Sequence, residues 1–136
     1  MPKFTHTHAL WLLLPALLLS ACANISKSER IDDLNNTLKN YKRDIRWGEF
    51  DAAWSFRRWE EGNREEPPEK LKDLRVTDYK VVNTHMGADN LSYTQTAHIS
   101  YHLADSPSVR KIIDRQKWEY DEEAKRWWLA SDMPQF

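Results

Sequence analysis

Five histidines, one cysteine and a row of polar residues at alternating positions are the parts of this 136-residue sequence that invite a chemical reading. His98 and His102 suggest a metal pair, because both fall on one face if their segment is a strand. At strand spacing they stand about 13 Å apart, too far for one ion to bridge. His85 has no carboxylate or thiol partner in sequence, so these histidines are expected as solvated strand residues, and no metal site is expected. With three glycines in the whole chain there is no phosphate-cradling loop, and no Ser/His/Asp arrangement or other cofactor pattern is evident. Cys22 has no second thiol to pair with, so the fold must stand on its core without disulfides. Gln95, Gln116 and Ser131 remain, with Asp114 one step beyond. This polar row takes its meaning from the elements that carry it.

The chain opens on a segment that does not belong to those elements. Residues 1–21 combine a single charge, Lys3, with an apolar run from Ala9 to Leu19 and small residues after it. As a helix that run spans about 16 Å, against roughly 30 Å of bilayer hydrocarbon. It reads as a secretory signal and not as a membrane span. Ala23 to Lys27 read as a short polar tether, following Cys22 within a 22–27 linker, that reaches at most about 20 Å when extended. The folded domain is expected over 28–136.

Ser26-Lys27-Ser28-Glu29 has the spacing of a capping box. Ile31, Leu34, Leu38, Tyr41 and Ile45 follow in 3-4-3-4 steps and make one helical stripe. Gly48 is the expected stop, and a shorter helix from about Glu49 to Trp59 is expected to bury Phe50, Ala53 and Trp54. Early Glu29, Asp32 and Asp33 and late Lys39, Lys42, Arg43 and Arg46 complement the helix dipole. The late basic cluster is also placed to touch anionic headgroups. A charged, Pro-containing break covers 60–70, with room for one helical turn after Pro68.

From Leu71 the period changes to two. Strands are expected near 73–85, 91–103, 108–121 and 126–133, with a bulge in the first where the apolar parity slips after Val76. Leu91, Tyr93, Gln95, Ala97, Ile99, Tyr101 and Leu103 share the buried face of the second. A buried face fixes register. It pairs Leu103 with Ser108, Ile99 with Ile112, Gln95 with Gln116, Tyr93 with Trp118 and Leu91 with Tyr120. The next hairpin pairs Tyr120 with Trp127, Trp118 with Leu129 and Gln116 with Ser131. The expected class is α+β, with N-terminal helices packed on a curved antiparallel sheet of about four strands. On its inner face Gln95, Gln116 and Ser131 either bond one another and the covering helices or line a wet cavity, because an unpaired buried amide costs about 1 to 3 kcal/mol.

Two resemblances add to this reading. Leu19-Ser20-Ala21-Cys22 resembles the lipobox of bacterial lipoproteins, which implies cleavage before Cys22 and a diacylglycerol on its sulfur. Ala23 is not the aspartate that retains such proteins at the inner membrane, so the resemblance implies the periplasmic face of the outer membrane. "YKRDIRWGEFDAAWSF" and "RQKWEYDEEAKRWWLAS" resemble the opening helices and closing hairpin of NTF2-like domains. That implies a cone of sheet around helices, reduced here because only about a dozen residues separate the second helix from the strands. Enzymes of that kind, such as ketosteroid isomerase and scytalone dehydratase, hold an acid/base residue and tyrosine donors inside the cone. Asp114 with Tyr41 or Tyr93 would imitate them, although pairing of Asp114 with a basic residue, or a place near the sheet rim, is the favoured expectation.

A formal charge of −1 and the lack of any long like-charge block argue against nucleic acid as a partner. The preferred reading is a non-enzymatic interaction or structural module, lipid-anchored through Cys22, with an envelope protein as partner. The alternative is a small apolar or amphipathic ligand bound in a pocket of Tyr41, Tyr93, Gln95, Asp114, Gln116, Trp118 and Ser131. An enzyme using Asp114 is third. Trp47, Trp59 and Trp128 are open between partner anchors and parts of the core.

Overall fold

The structure, a computed structural model, describes the backbone of residues 14–136 and side chains from residue 26 onward. The first part of the signal segment and the Cys22 side chain lie outside the described residues. Helix α1 runs from Leu14 to Trp47. Pro15 sits in its first turn, where a missing N–H costs nothing, and neither glycine nor proline interrupts residues 16–47. The expected start at Ser26 is therefore corrected. Residues 22–27, expected as a tether, are helical, and the capping box has no helix end to cap. Gly48 does end the helix, at φ +73°. Its N–H donates to the Ile45 carbonyl at 3.3 Å and that of Glu49 to the Asp44 carbonyl at 2.8 Å, the two bonds of a Schellman close.

Four strands follow: β1 (Leu74–Met86), β2 (Ser92–Leu103), β3 (Arg110–Asp121) and β4 (Arg126–Leu129), antiparallel in the order β1-β2-β3-β4. A single 3₁₀ turn, Glu69–Asp73, follows Pro68 and leads into β1. The expected register holds at Tyr93 with Trp118, Gln95 with Gln116, Ile99 with Ile112, Tyr120 with Trp127 and Trp118 with Leu129. Leu103 with Ser108 and Gln116 with Ser131 fall beyond the ladders, which end at Tyr101 with Arg110 and at Trp118 with Leu129. Past the ladder ends the Tyr120 N–H still donates to the Leu91 carbonyl at 2.9 Å, joining that expected pair, and the Ala130 N–H donates to the Lys117 carbonyl at 2.7 Å. β1 shifts register between Val76 and Asp78, where the parity slip was read, and again between Val81 and Asn83.

Helix α2 is short, Phe50–Trp54, and buries Phe50, Ala53 and Trp54 as expected. It ends five residues before the expected boundary because the chain then serves the sheet. Leu129 N–H donates to the Phe56 carbonyl at 2.8 Å and Arg58 N–H to the Leu129 carbonyl at 3.0 Å, a parallel bridge that covers the free edge of β4. Between helices and sheet lies an aromatic core in which Tyr41, Trp118, Trp127, Leu34, Ile45, Ile99 and Leu129 are fully buried. The fold class is α+β.

Candidate functional site

The β2–β3 register sets Gln95 opposite Gln116 and Asp114 opposite Ala97 on the face that α1 covers. Gln116 is the hub of what results. Its Nε2 donates to the Asp114 carboxylate Oδ2 at 2.6 Å and to the Tyr79 hydroxyl at 2.7 Å. Its Oε1 accepts from Gln95 Nε2 at 2.7 Å and from Trp118 Nε1 at 3.1 Å. Gln95 Nε2 also reaches the Tyr79 hydroxyl at 3.5 Å. All five side chains are buried. The polar row thus takes the bonded alternative.

Tyr41 comes down on this cluster from α1, its ring edge-on to Trp118 with centroids 5.3 Å apart and to Phe56 at 5.8 Å. Its hydroxyl is buried without a hydrogen-bond partner among the described residues. Burial, then the negative charge of Asp114, holds its pKa well above the ordinary tyrosine value. Burial likewise raises Tyr79, with the Gln116 bond opposing. Asp114 is pushed up to about 6 by burial, against a smaller downward pull from its bond to Gln116. Asp114 has no basic partner among the described residues and is 4 % exposed, so the expectation of an ion pair or a rim position is corrected.

The other candidates sit apart from the cluster. Tyr93 is half-buried near the end of the sheet, its pKa raised by burial against a smaller downward pull from Thr84. Ser131 Oγ accepts the Lys117 N–H at 3.1 Å, beyond the end of the β3–β4 ladder. His85 and His98 are exposed and His102 half-buried, with its Nδ1 2.8 Å from the Leu103 carbonyl. Among the described residues no three His, Cys, Asp or Glu side chains form a metal site. Trp59 is used internally, donating to the Trp54 carbonyl at 3.1 Å with Arg57 stacked 4.6 Å over its ring. Trp128 lies under Arg126 at 3.7 Å. Trp47 has neither kind of neighbour among the described residues and is 79 % exposed.

Tyr79 is the member that sequence reasoning missed. Its place on the buried side of β1 and the bulge at Thr77 were both readable, but not that together they bring its hydroxyl onto two glutamines from other strands. Chemically the cluster holds one carboxyl whose pKa is pushed up to about 6 in a dry setting. A carboxyl of that pKa suits proton transfer only when a reacting atom comes within hydrogen-bond reach. Among the described residues, open clefts border α1 beside Asp33, Asn40 and Trp127, beside Arg30 and Tyr120, and beside Trp47 and Arg75, and none of these is lined by Gln95, Asp114 or Gln116. No helix among the described residues is long and apolar enough to cross a membrane. No protein-family profile matches this sequence, and neither a characterised protein nor a solved structure is significantly similar to it.

Proposed function

We propose that this chain is an envelope lipoprotein, acylated at Cys22 and held on the periplasmic face of the outer membrane, whose domain is a reduced NTF2-like cone serving as a non-catalytic interaction module. The observation that carries the functional part is the state of the interior. Tyr79, Gln95, Asp114 and Gln116 are bonded to one another inside the domain, with Tyr41 and Trp118 closing over them, which supports an interior without room for a substrate. The anchoring part rests on Leu19-Ser20-Ala21-Cys22. The eight helical steps from Cys22 to Arg30 rise about 12 Å, which supports a domain held close to its bilayer.

The test is intact-protein mass spectrometry of the envelope fraction, followed by crosslinking in the native envelope. The expected mass lacks residues 1–21 and gains acyl and diacylglyceryl groups that Cys22→Ser abolishes. A reproducible protein neighbour is expected in the crosslinks. An unmodified thiol would sink the address, and recovery of lipid alone would sink the interaction module. A small-ligand reading is favoured by one observation only, the unpartnered Tyr41 hydroxyl beside Asp114.

A further inference from the structure

Trp47 stands on the rim of an open cleft of about 420 Å³ between the end of α1 and the start of β1. An indole left 79 % in water, with the other two flagged tryptophans used inside the molecule, asks for an occupant. Every charged residue lining the cleft is a cation: Arg46, Lys72 and Arg75. We propose that this cleft binds an anionic sugar, its carboxylate or phosphate held by Arg46, Lys72 and Arg75 and its ring laid on the Trp47 indole.

The three cations are not equivalent. Arg75 Nη1 donates to the Lys72 carbonyl at 2.9 Å and the Leu74 carbonyl at 3.0 Å, which fixes the guanidinium before any ligand arrives. Pre-set Arg geometry suits paired contacts to carboxylate or phosphate oxygens and lowers the ordering cost of binding. Arg46 has no ion pair or hydrogen bond among the described residues. Lys72 holds Glu69 at 2.6 Å and feels Asp51 more distantly. Both partners of that pair are more than 70 % exposed, so an incoming anion displaces little.

The same lining disfavours a greasy ligand. Leu71 and Leu74 are each 3 % exposed, already covered by the protein, so beyond the Trp47 indole and the half-buried Val76 an acyl chain or sterol would gain little apolar contact there. What the cleft offers is one flat amphipathic ring and a crescent of positive charge, open to water. A sugar ring bearing an acid group presents a C–H face to the first and an anion to the second. The cleft also lies about 37 Å along α1 from Cys22, at the far end of the domain from the attachment point. Headgroups of the anchoring leaflet are thereby the wrong source, and a soluble or polymeric acidic glycan is the right one. The inference goes beyond the protein-neighbour reading above and adds a glycan site to the same domain.

The experiment is a nitrogen-15 NMR titration of the indole N–H signals of the full lipidated chain in polyoxyethylene-ether micelles, which carry neither sugar nor charge. The Trp47 signal is assigned by its loss in Trp47→Phe. Glucuronate and glucose 6-phosphate are expected to shift it saturably, leaving the buried Trp118 and Trp127 signals in place. Glucose, inorganic phosphate and triglutamate are expected to need concentrations about tenfold higher or more. Arg46→Glu, a change on the exposed helix end, is expected to weaken the two acidic sugars about tenfold with the other indole signals unmoved. No saturable shift, an equal response to inorganic phosphate or triglutamate, or an unchanged Arg46→Glu titration would each overturn the proposal. The mass of the same sample reports Cys22 acylation and the envelope crosslinks report the protein neighbour, so failure here and failure of the anchored-module reading are distinguishable.

Discussion

Asp114 is 4 % exposed, its pKa is pushed up to about 6, and its hydrogen-bond donor is Gln116 Nε2. Because the folded form holds the proton more tightly than the unfolded chain, folding is favoured by acid. The contribution is complete below about pH 4 and is lost as pH rises through about 6. Above that the fold carries an ionised carboxylate at a cost of about 3 kcal/mol. Asp114→Asn keeps an oxygen for Gln116 and removes the charge. It is expected to be more stable than the parent in urea at pH 8 and nearly equal at pH 4, and an equal difference at both pH values would refute this. Gln116→Leu strips partners from Asp114, Tyr79, Gln95 and Trp118 together. At one to a few kcal/mol per orphaned group, a loss on the order of 4 kcal/mol is expected by the same measurement at pH 7. A change under 1 kcal/mol would mean that water enters and heals the site. At this scale the sequence announced Gln95 and Gln116 as a pair, because strict alternation in β2 left no other register. It did not announce Tyr79, because the slip in β1 was readable but the partners its hydroxyl would meet on two other strands were not.

Elements were legible where local chemistry alone decides them. Gly48 ends α1 because its φ of +73° is open to glycine and costly to residues with a Cβ. An added Cβ there meets nothing nearer than Phe50 at 3.8 Å, so the penalty is purely backbone. Gly48→Ala is expected to cost about 1 kcal/mol in urea denaturation and Gly48→Asn clearly less, since asparagine tolerates that region. Equal losses would point to packing instead. The start of α1 was misread for the complementary reason. A capping box is a signal only where the chain before it is not helical, and the Leu- and Ala-rich stretch before Ser26 continues the helix. The end of α2 was misread because residues 56–58 answer to the edge of β4, a strand some seventy positions later.

The whole molecule has one core shared by both halves. Tyr41 from α1, Phe56 after α2 and Trp118 from β3 meet edge to face, and Trp127 Nε1 in β4 donates to the Arg30 carbonyl of α1 at 2.9 Å. The tail joins as well, with Phe136 edge-on to Tyr101 and Phe50 at 5.3 and 5.7 Å. Helix and sheet are therefore expected to unfold together. Urea transitions followed by near-ultraviolet dichroism of the tryptophans and far-ultraviolet dichroism of the backbone should coincide. Loss of the aromatic signal at lower urea would show a sheet that stands without α1.

What the sequence determined by itself is the part governed by period and by neighbours a few residues away: the α1 stripe, the stop at Gly48, the four strands, and a register forced by one buried face. A side chain's partner from a distant strand has no such local trace. Only the tertiary structure decided that Tyr79 and Gln116 would meet, that Asp114 would lie inside without a cation, and that Trp47 alone of three candidate tryptophans would be left in water. Those outcomes turn on bulges and chain crossings, in which a displacement of one residue exchanges the inside for the outside.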